Sequence, residues 1–155
     1  MAKCLYVFRG IPGSGKTTQA RKLQKAILDD GKICLLYEAD MYWMTEDGQY
    51  KFNPNLLGLA HDWCRNKVRE GLKDTNTDYV IVANTNLTEK EMNVWEDMAN
   101  ELDVSMVVVR MNNDFGNIHG VPPEAMERMR SKLVPWPNEM VLTSQRTKIL
   151  SESKV

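Results

Sequence analysis

Residues 10–17 read GIPGSGKT, and the meaning of this stretch decides the fold. Glycine loses more backbone freedom on folding than any other residue, so Gly10, Gly13 and Gly15 signal a need for bare backbone. The pattern is G-x-x-x-x-G-K-[ST], a loop whose N–H groups turn inward on phosphate oxygens. The positive end of a following helix adds to that pull on an anion. In this arrangement Lys16 reaches the β- and γ-phosphates of a nucleoside triphosphate, and the Thr17 hydroxyl holds Mg²⁺. The nucleotide-binding residues are then Gly10, Ile11, Pro12, Gly13, Ser14, Gly15, Lys16, Thr17 and Thr18, with Thr17 as metal ligand. A glycine-rich turn matching by chance is set apart by its flanks, because the motif requires a strand before it and a helix after it.

Both flanks are legible. Leu5 to Phe8 form a short, continuous apolar run, the signature of a strand covered on both faces. Ile33 to Tyr37, Tyr79 to Ala83 and Val104 to Val109 repeat it. Helical spacing separates these runs. Ala20, Leu23 and Ile27 share one face, and Gly31 falls where a helix C-cap belongs. Leu56, Leu59, Ala60, Trp63 and Cys64 open a second helix that continues through Val68 and Leu72. Thr88 to Glu91, TEKE, is a capping box followed by Met92, Trp95 and Leu102. A further helix starts at Pro122 and Pro123, carries Ala125, Met126 and Met129, and ends before the prolines at 135 and 137. The alternation predicts a three-layer α/β/α fold with a mostly parallel sheet, residues 1–155 forming one domain.

Formal net charge is −1, so no overall positive field favours tight, nonspecific binding to long duplexes. Cys4, Cys34 and Cys64 are odd in number and lack paired metal-ligand spacing, which fits buried thiols in a reducing compartment. The first ten residues read as no secretory leader, and no apolar stretch is long enough to span a membrane. A cytoplasmic location is the expectation.

Asp40 follows the second apolar run, at the sheet edge where α/β folds bind ligands. There it either takes the proton of an attacking hydroxyl or caps a loop. The third run ends in Ala83 and Asn84, where many P-loop proteins carry an aspartate for Mg²⁺. Asn84 and Asn86 are candidates for contacting substrate or metal-bound water, and Asn86 reads equally well as a turn residue. Tyr42, Trp43, Tyr50 and Phe52 cluster after Asp40, either to stack on a base or to form a small satellite core. His61 and Trp63 read as packing residues.

RGIPGSGKTTQARKL, EADMYW, YKFNPNLLGLAHDWC, VIVANTNLTEKEM and NIHGVPPEAMERM together resemble the polynucleotide 5′-kinase-like P-loop kinases, the group of phage polynucleotide kinase domains and related kinase-like ATPase domains. The resemblance runs from about Cys4 to Leu133. It implies an adenylate-kinase-like core that moves the γ-phosphate of ATP to a hydroxyl, typically a nucleic-acid 5′ end. Asp40 then matches the general base, and Asn84 falls where the phage enzymes have an acceptor-contacting aspartate. His119 to Pro122 belong to a lid spanning about 112–133. Two positions depart from the family. Trp43 stands where the phage enzymes grip the acceptor phosphate with an arginine, and Gly116 where a lid arginine stabilises the transferring group. Arg110, Arg128 and Arg130 are the candidate substitutes, although two of them read as solvated helix residues, the usual fate of a surface arginine.

The expectation is therefore an ATP- and Mg²⁺-dependent kinase acting on a nucleic-acid end, nucleotide or nucleoside, with Lys16, Asp40, Arg128 and Arg130 as the catalytic set. The alternative is a nucleotide-binding regulatory module with weak or no phosphotransfer. A nuclease or phosphatase would need clustered carboxylates or histidines that the sequence lacks.

Overall fold

The computed structural model describes residues 3–115 and 120–143. Strand β1 (Cys4–Arg9) leads through the glycine loop into α1 (Lys16–Asp29), and β2 (Cys34–Tyr37) follows. Next come α2 (Leu57–Lys73), β3 (Tyr79–Ala83), α3 (Glu89–Glu101), β4 (Ser105–Met111), α4 (Pro123–Lys132) and β5 (Met140–Leu142). The strands form one sheet in the order β2-β3-β1-β4-β5, and every pairing is parallel. The expected α/β/α architecture is thus the observed one.

Alternation along the strands divides the core into two layers. Leu5, Val7, Val80, Val82 and Val108 face α2 and α3, packing with Ala60, Cys64, Val68, Met92 and Trp95. Phe8, Ile81, Ala83 and Val109 face the other way and enclose Ala20 of α1. A strand whose neighbours point to opposite faces must be apolar throughout if both faces are covered, which explains the unbroken hydrophobic runs. Cys4, Cys34 and Cys64 are free thiols, and burial pushes Cys34 and Cys64 up to about 11.

The helix boundaries follow their local chemistry. Helix α1 ends with Gly31 N–H on the Leu28 carbonyl and Lys32 N–H on the Ile27 carbonyl, which satisfies two terminal acceptors. At α3, Thr88 Oγ1 accepts from Glu91 N–H, while the Glu91 carboxylate reaches back to Leu87 N–H rather than to Thr88 N–H. Pro123 opens α4, and Met126 on that helix packs with Ile11 and Leu87. The expected lid helix is therefore seated on the glycine loop and on the segment after β3. None of the helices among the described residues is long and apolar enough to cross a membrane.

Candidate functional site

The C-terminal ends of β1 and β3 carry the glycine loop and the segment 84–87 side by side. Gly10 N–H donates to the Thr85 carbonyl, and Asn84 N–H to the Phe8 carbonyl. Gly10 has φ +150°, and a Cβ there would fall 2.6 Å from Ser14 Oγ and 2.9 Å from the Met111 carbonyl oxygen. Gly15 has φ +94°, with the Phe115 ring 3.3 Å from where a Cβ would stand. These two positions accept glycine alone without strain or rearrangement. Phe115 N–H donates to the Gly13 carbonyl, so the chain leaving β4 braces the loop from outside.

Lys16 and Thr17 open α1 beside the loop. Lys16 Nζ donates to the Ile11 carbonyl at 2.9 Å. Burial lowers its ammonium from the ordinary 10.5 to about 8, with the Glu38 carboxylate pulling in the opposite direction. Thr17 Oγ1 donates to Glu38 Oε1 at 2.6 Å. That bond joins the glycine loop to the residue that follows β2. Glu38 was missed in the sequence because the expected acid position lay on β3. A carboxylate two residues before Asp40 was the available signal.

Asp40 lies in a 3-10 turn, Ala39–Trp43, and is exposed. Tyr50 Oη donates to its Oδ1 at 2.6 Å. A small antiparallel bridge between Met44 and Tyr50 presents that hydroxyl. Local desolvation, and after it the bond to the Asp40 carboxylate, push the Tyr50 phenol up to about 12. Asn84 Oδ1 accepts from Ala39 N–H at 2.8 Å, and Asn84 Nδ2 donates to Cys64 Sγ at 3.6 Å. Asn84 thus clamps the turn that carries Asp40.

Several residues read as substrate contacts have other work in the structure. Trp43 is 5% exposed, packs into the α2–α3 core and meets Tyr42 and Phe52 edge-on at 5.2 Å. Its indole is enclosed in the main core rather than in a separate satellite core, which leaves no face for stacking on a base. Asn86 is 4% exposed, donates to the Phe8 carbonyl and accepts from Trp95 Nε1, with φ +44°. Its side chain is spent on the turn. Arg130 is paired with Asp114 and Glu127, and Arg128 is exposed on α4. Arg110 Nε lies 2.7 Å from Glu139 Oε1, although off the hydrogen-bonding direction. None of the three is brought into a described contact with the glycine loop. Gly116 to His119 lie outside the described residues.

Arg9 is the second residue that the sequence did not single out. It is fully buried and donates to the carbonyls of Asn86, Leu87 and Val134 and to Glu139 Oε2. One guanidinium therefore ties the end of β1 to the turn after β3 and to the segment after α4. The signal was an arginine in an otherwise apolar strand. A cavity of about 690 Å³ lies elsewhere, between α3, β4 and residues 134–138, and no glycine-loop residue lines it.

Residues 5–114 match the family described as AAA domain. Human NEDD4-binding protein 2 is 31% identical over 134 residues, 81% of this chain, and the chain spans 7% of that protein's length. The Mycobacterium tuberculosis APS kinase CysC, solved in complex with AMPPNP and APS, superposes with a TM-score of 0.59 at 12% identity, covering 99% of each chain. A chain of the Pnkp1/Rnl/Hen1 RNA repair complex gives 0.65 at 18% identity, covering 85% of this chain and 44% of that one. At such identities the structural likeness speaks for the fold alone, a P-loop kinase fold. The family match covers most of the chain, and the glycine loop, parallel sheet and strand order agree with it: the chain belongs to the AAA-domain family, in its kinase-like P-loop form.

Proposed function

We propose that this chain is a phosphotransferase of the polynucleotide-kinase-like type, moving the γ-phosphate of ATP to a hydroxyl of a nucleic-acid 5′ end, nucleotide or nucleoside. The observation that carries the reading is the Thr17–Glu38 hydrogen bond. It sets the head of α1 against the turn that holds Asp40, so donor and acceptor groups share one sheet edge. On this reading the loop from Gly10 to Thr18 binds the triphosphate, and Lys16 neutralises its charge. The oxygen donors at Thr17 and Glu38 suit Mg²⁺, a hard cation that prefers oxygen ligands, and the ion would neutralise charge on the phosphates. Asp40 accepts the proton of the attacking hydroxyl, with its turn held by Asn84. The chain acts as one domain, and residues 112–133 serve as the lid, anchored through Met126.

Supporting the acceptor class are the sequence blocks that resemble those of polynucleotide kinases and the likeness in fold to a chain of the RNA repair complex. The test is transfer of labelled γ-phosphate from ATP to a panel of 5′-hydroxyl DNA, 5′-hydroxyl RNA, nucleosides and deoxynucleotides, with Lys16→Ala as control. Label on one acceptor that disappears in the control is the expected result. ATP binding without transfer to any acceptor would overturn the kinase reading.

A second reading rests on the arginines. Arg110 and Arg130 are engaged by carboxylates, and no described contact brings Arg128 to the glycine loop. That favours a nucleotide-binding regulatory module with little phosphotransfer.

A further inference from the structure

We infer that Glu38 replaces the carboxylate missing from β3 and, together with the Thr17 hydroxyl, holds the divalent cation that accompanies a bound nucleotide. The inference rests on the nucleotide-binding reading above and adds a residue that the motif does not name.

Three observations carry it. Strand β3 brings no acid to this edge, because Ala83 is buried under the sheet and the Asn84 side chain is committed to Ala39 N–H and Cys64 Sγ. Strand β2 lies beside β3, and their parallel register pairs Tyr37 with Val82. One residue further along, Glu38 therefore comes level with Ala83, where an acid on β3 would have stood. Finally, the Glu38 carboxylate already accepts from Thr17 Oγ1 at 2.6 Å, the short separation of a charge-assisted hydrogen bond.

The backbone around Glu38 is also fixed. The bond from Ala39 N–H to Asn84 Oδ1 immediately follows it, and Met41 N–H donates to the Glu38 carbonyl. A carboxylate on a pinned backbone is ordered before a cation arrives, which reduces the entropy lost on binding. Its charge has a second consequence at the same place. Without a cation, Glu38 repels the phosphates of a nucleotide; with one, it is neutralised. The carboxylate should therefore make nucleotide affinity depend on Mg²⁺.

Glu38→Gln separates this role from a structural one, since the amide oxygen still accepts from Thr17 while the charge is gone. ADP and ATP affinities are measured by calorimetry for wild type and variant, each with Mg²⁺ and with EDTA, and thermal unfolding checks the fold. Wild type should bind more tightly with Mg²⁺. The variant should lose about tenfold or more in affinity with Mg²⁺, the scale seen when groups around a metal are removed. In EDTA it should bind as tightly as wild type, or more so. Mn²⁺ bound with ADP should give an altered electron paramagnetic resonance spectrum in the variant. Equal losses under both conditions would overturn the inference and leave Glu38 as a brace for Thr17. Unchanged affinity under both would overturn it as well. A wild type that binds no nucleotide in either condition would instead defeat the parent reading, and this one with it.

Discussion

The glycine loop and the proposed acceptor edge lie within one hydrogen bond of each other, yet they are built on different principles. The loop is shaped by backbone. Its requirements are a left-handed φ at Gly15, absence of a Cβ at Gly10 and a helix starting at Lys16, and each is a property of one position in the chain. The proposed acceptor edge is shaped by side chains from several elements: Glu38 and Asp40 after β2, Tyr50 from a hairpin, and Asn84 after β3. A motif can specify the first kind of site in eight residues. The second kind exists only after the sheet has formed, and a change at one position can be answered from a neighbouring strand.

The largest effect should come from a change that leaves the loop intact and disables the edge. Asp40→Asn keeps the size of the side chain and removes the proposed proton acceptor. Turnover should fall by about 10²–10⁴-fold, the usual share of a positioned general base. ATP affinity should stay close to wild type, because Asp40 is exposed and bonded to Tyr50 rather than to the glycine loop. Steady-state kinetics combined with direct binding would show the split. A variant unchanged in both would break the division and favour the regulatory-module reading.

Next in size is the buried ionic cluster that engages Arg110, one of the candidate substitutes for the family's arginines. Glu139 has 6% of its side chain exposed and stands between Arg9, fully buried, and Arg110, 23% exposed. Glu139→Gln leaves two largely buried guanidiniums without their counter-charge and should cost about 3–5 kcal/mol, read from the denaturant midpoint. Replacing Arg9 and Glu139 together by methionine should recover part of that loss, since the penalty lies in the uncompensated charge. If Glu139→Gln unfolds at the wild-type midpoint, Arg110 is not held by this cluster and returns as a candidate for the phosphoryl site.

The same division explains what the sequence made legible. Strands β1 to β4 were found within a residue or two because each is buried on both faces and must be apolar, and the Thr88 box marked the start of α3. Strand β5 was not among the expected strands, and residues from 144 onward lie outside the described residues. Lys16 and Thr17 followed from spacing alone. Glu38, by contrast, gains its meaning from register: only the pairing of β2 with β3 puts it level with Ala83. Arg9 meets Glu139 across 130 residues, a contact set by how the chain after α4 packs. Trp43 and Asn86 were legible as a choice between binding and packing. Burial decided it, and burial is a property of the assembled core.

The smallest expected effect tests whether the loop itself carries a cost. Burial lowers the Lys16 ammonium to about 8, and Glu38 only partly offsets this. An unfolded chain keeps that proton up to about pH 10.5, whereas the folded chain releases it near 8. Below pH 8 the folded state therefore pays in full for a charged, desolvated lysine. Between 8 and 10.5 the unfolded state binds more protons, so stability rises with pH across that window. Lys16→Met removes the charge while keeping much of the apolar stem. A shift of this size on a fully enclosed group would count for more, and partial exposure of Lys16 reduces the expected gain to about 2 kcal/mol at pH 7. The advantage over wild type should shrink as pH climbs from 8 towards 10.5, and nucleotide binding should be lost throughout. Thermal unfolding of both proteins across that range is the measurement. A variant that gains nothing at pH 7 would mean that the Ile11 carbonyl and Glu38 compensate the ammonium completely. A gain that fades with pH would show that the folded protein keeps a destabilising charge at the loop, where a phosphate would neutralise it.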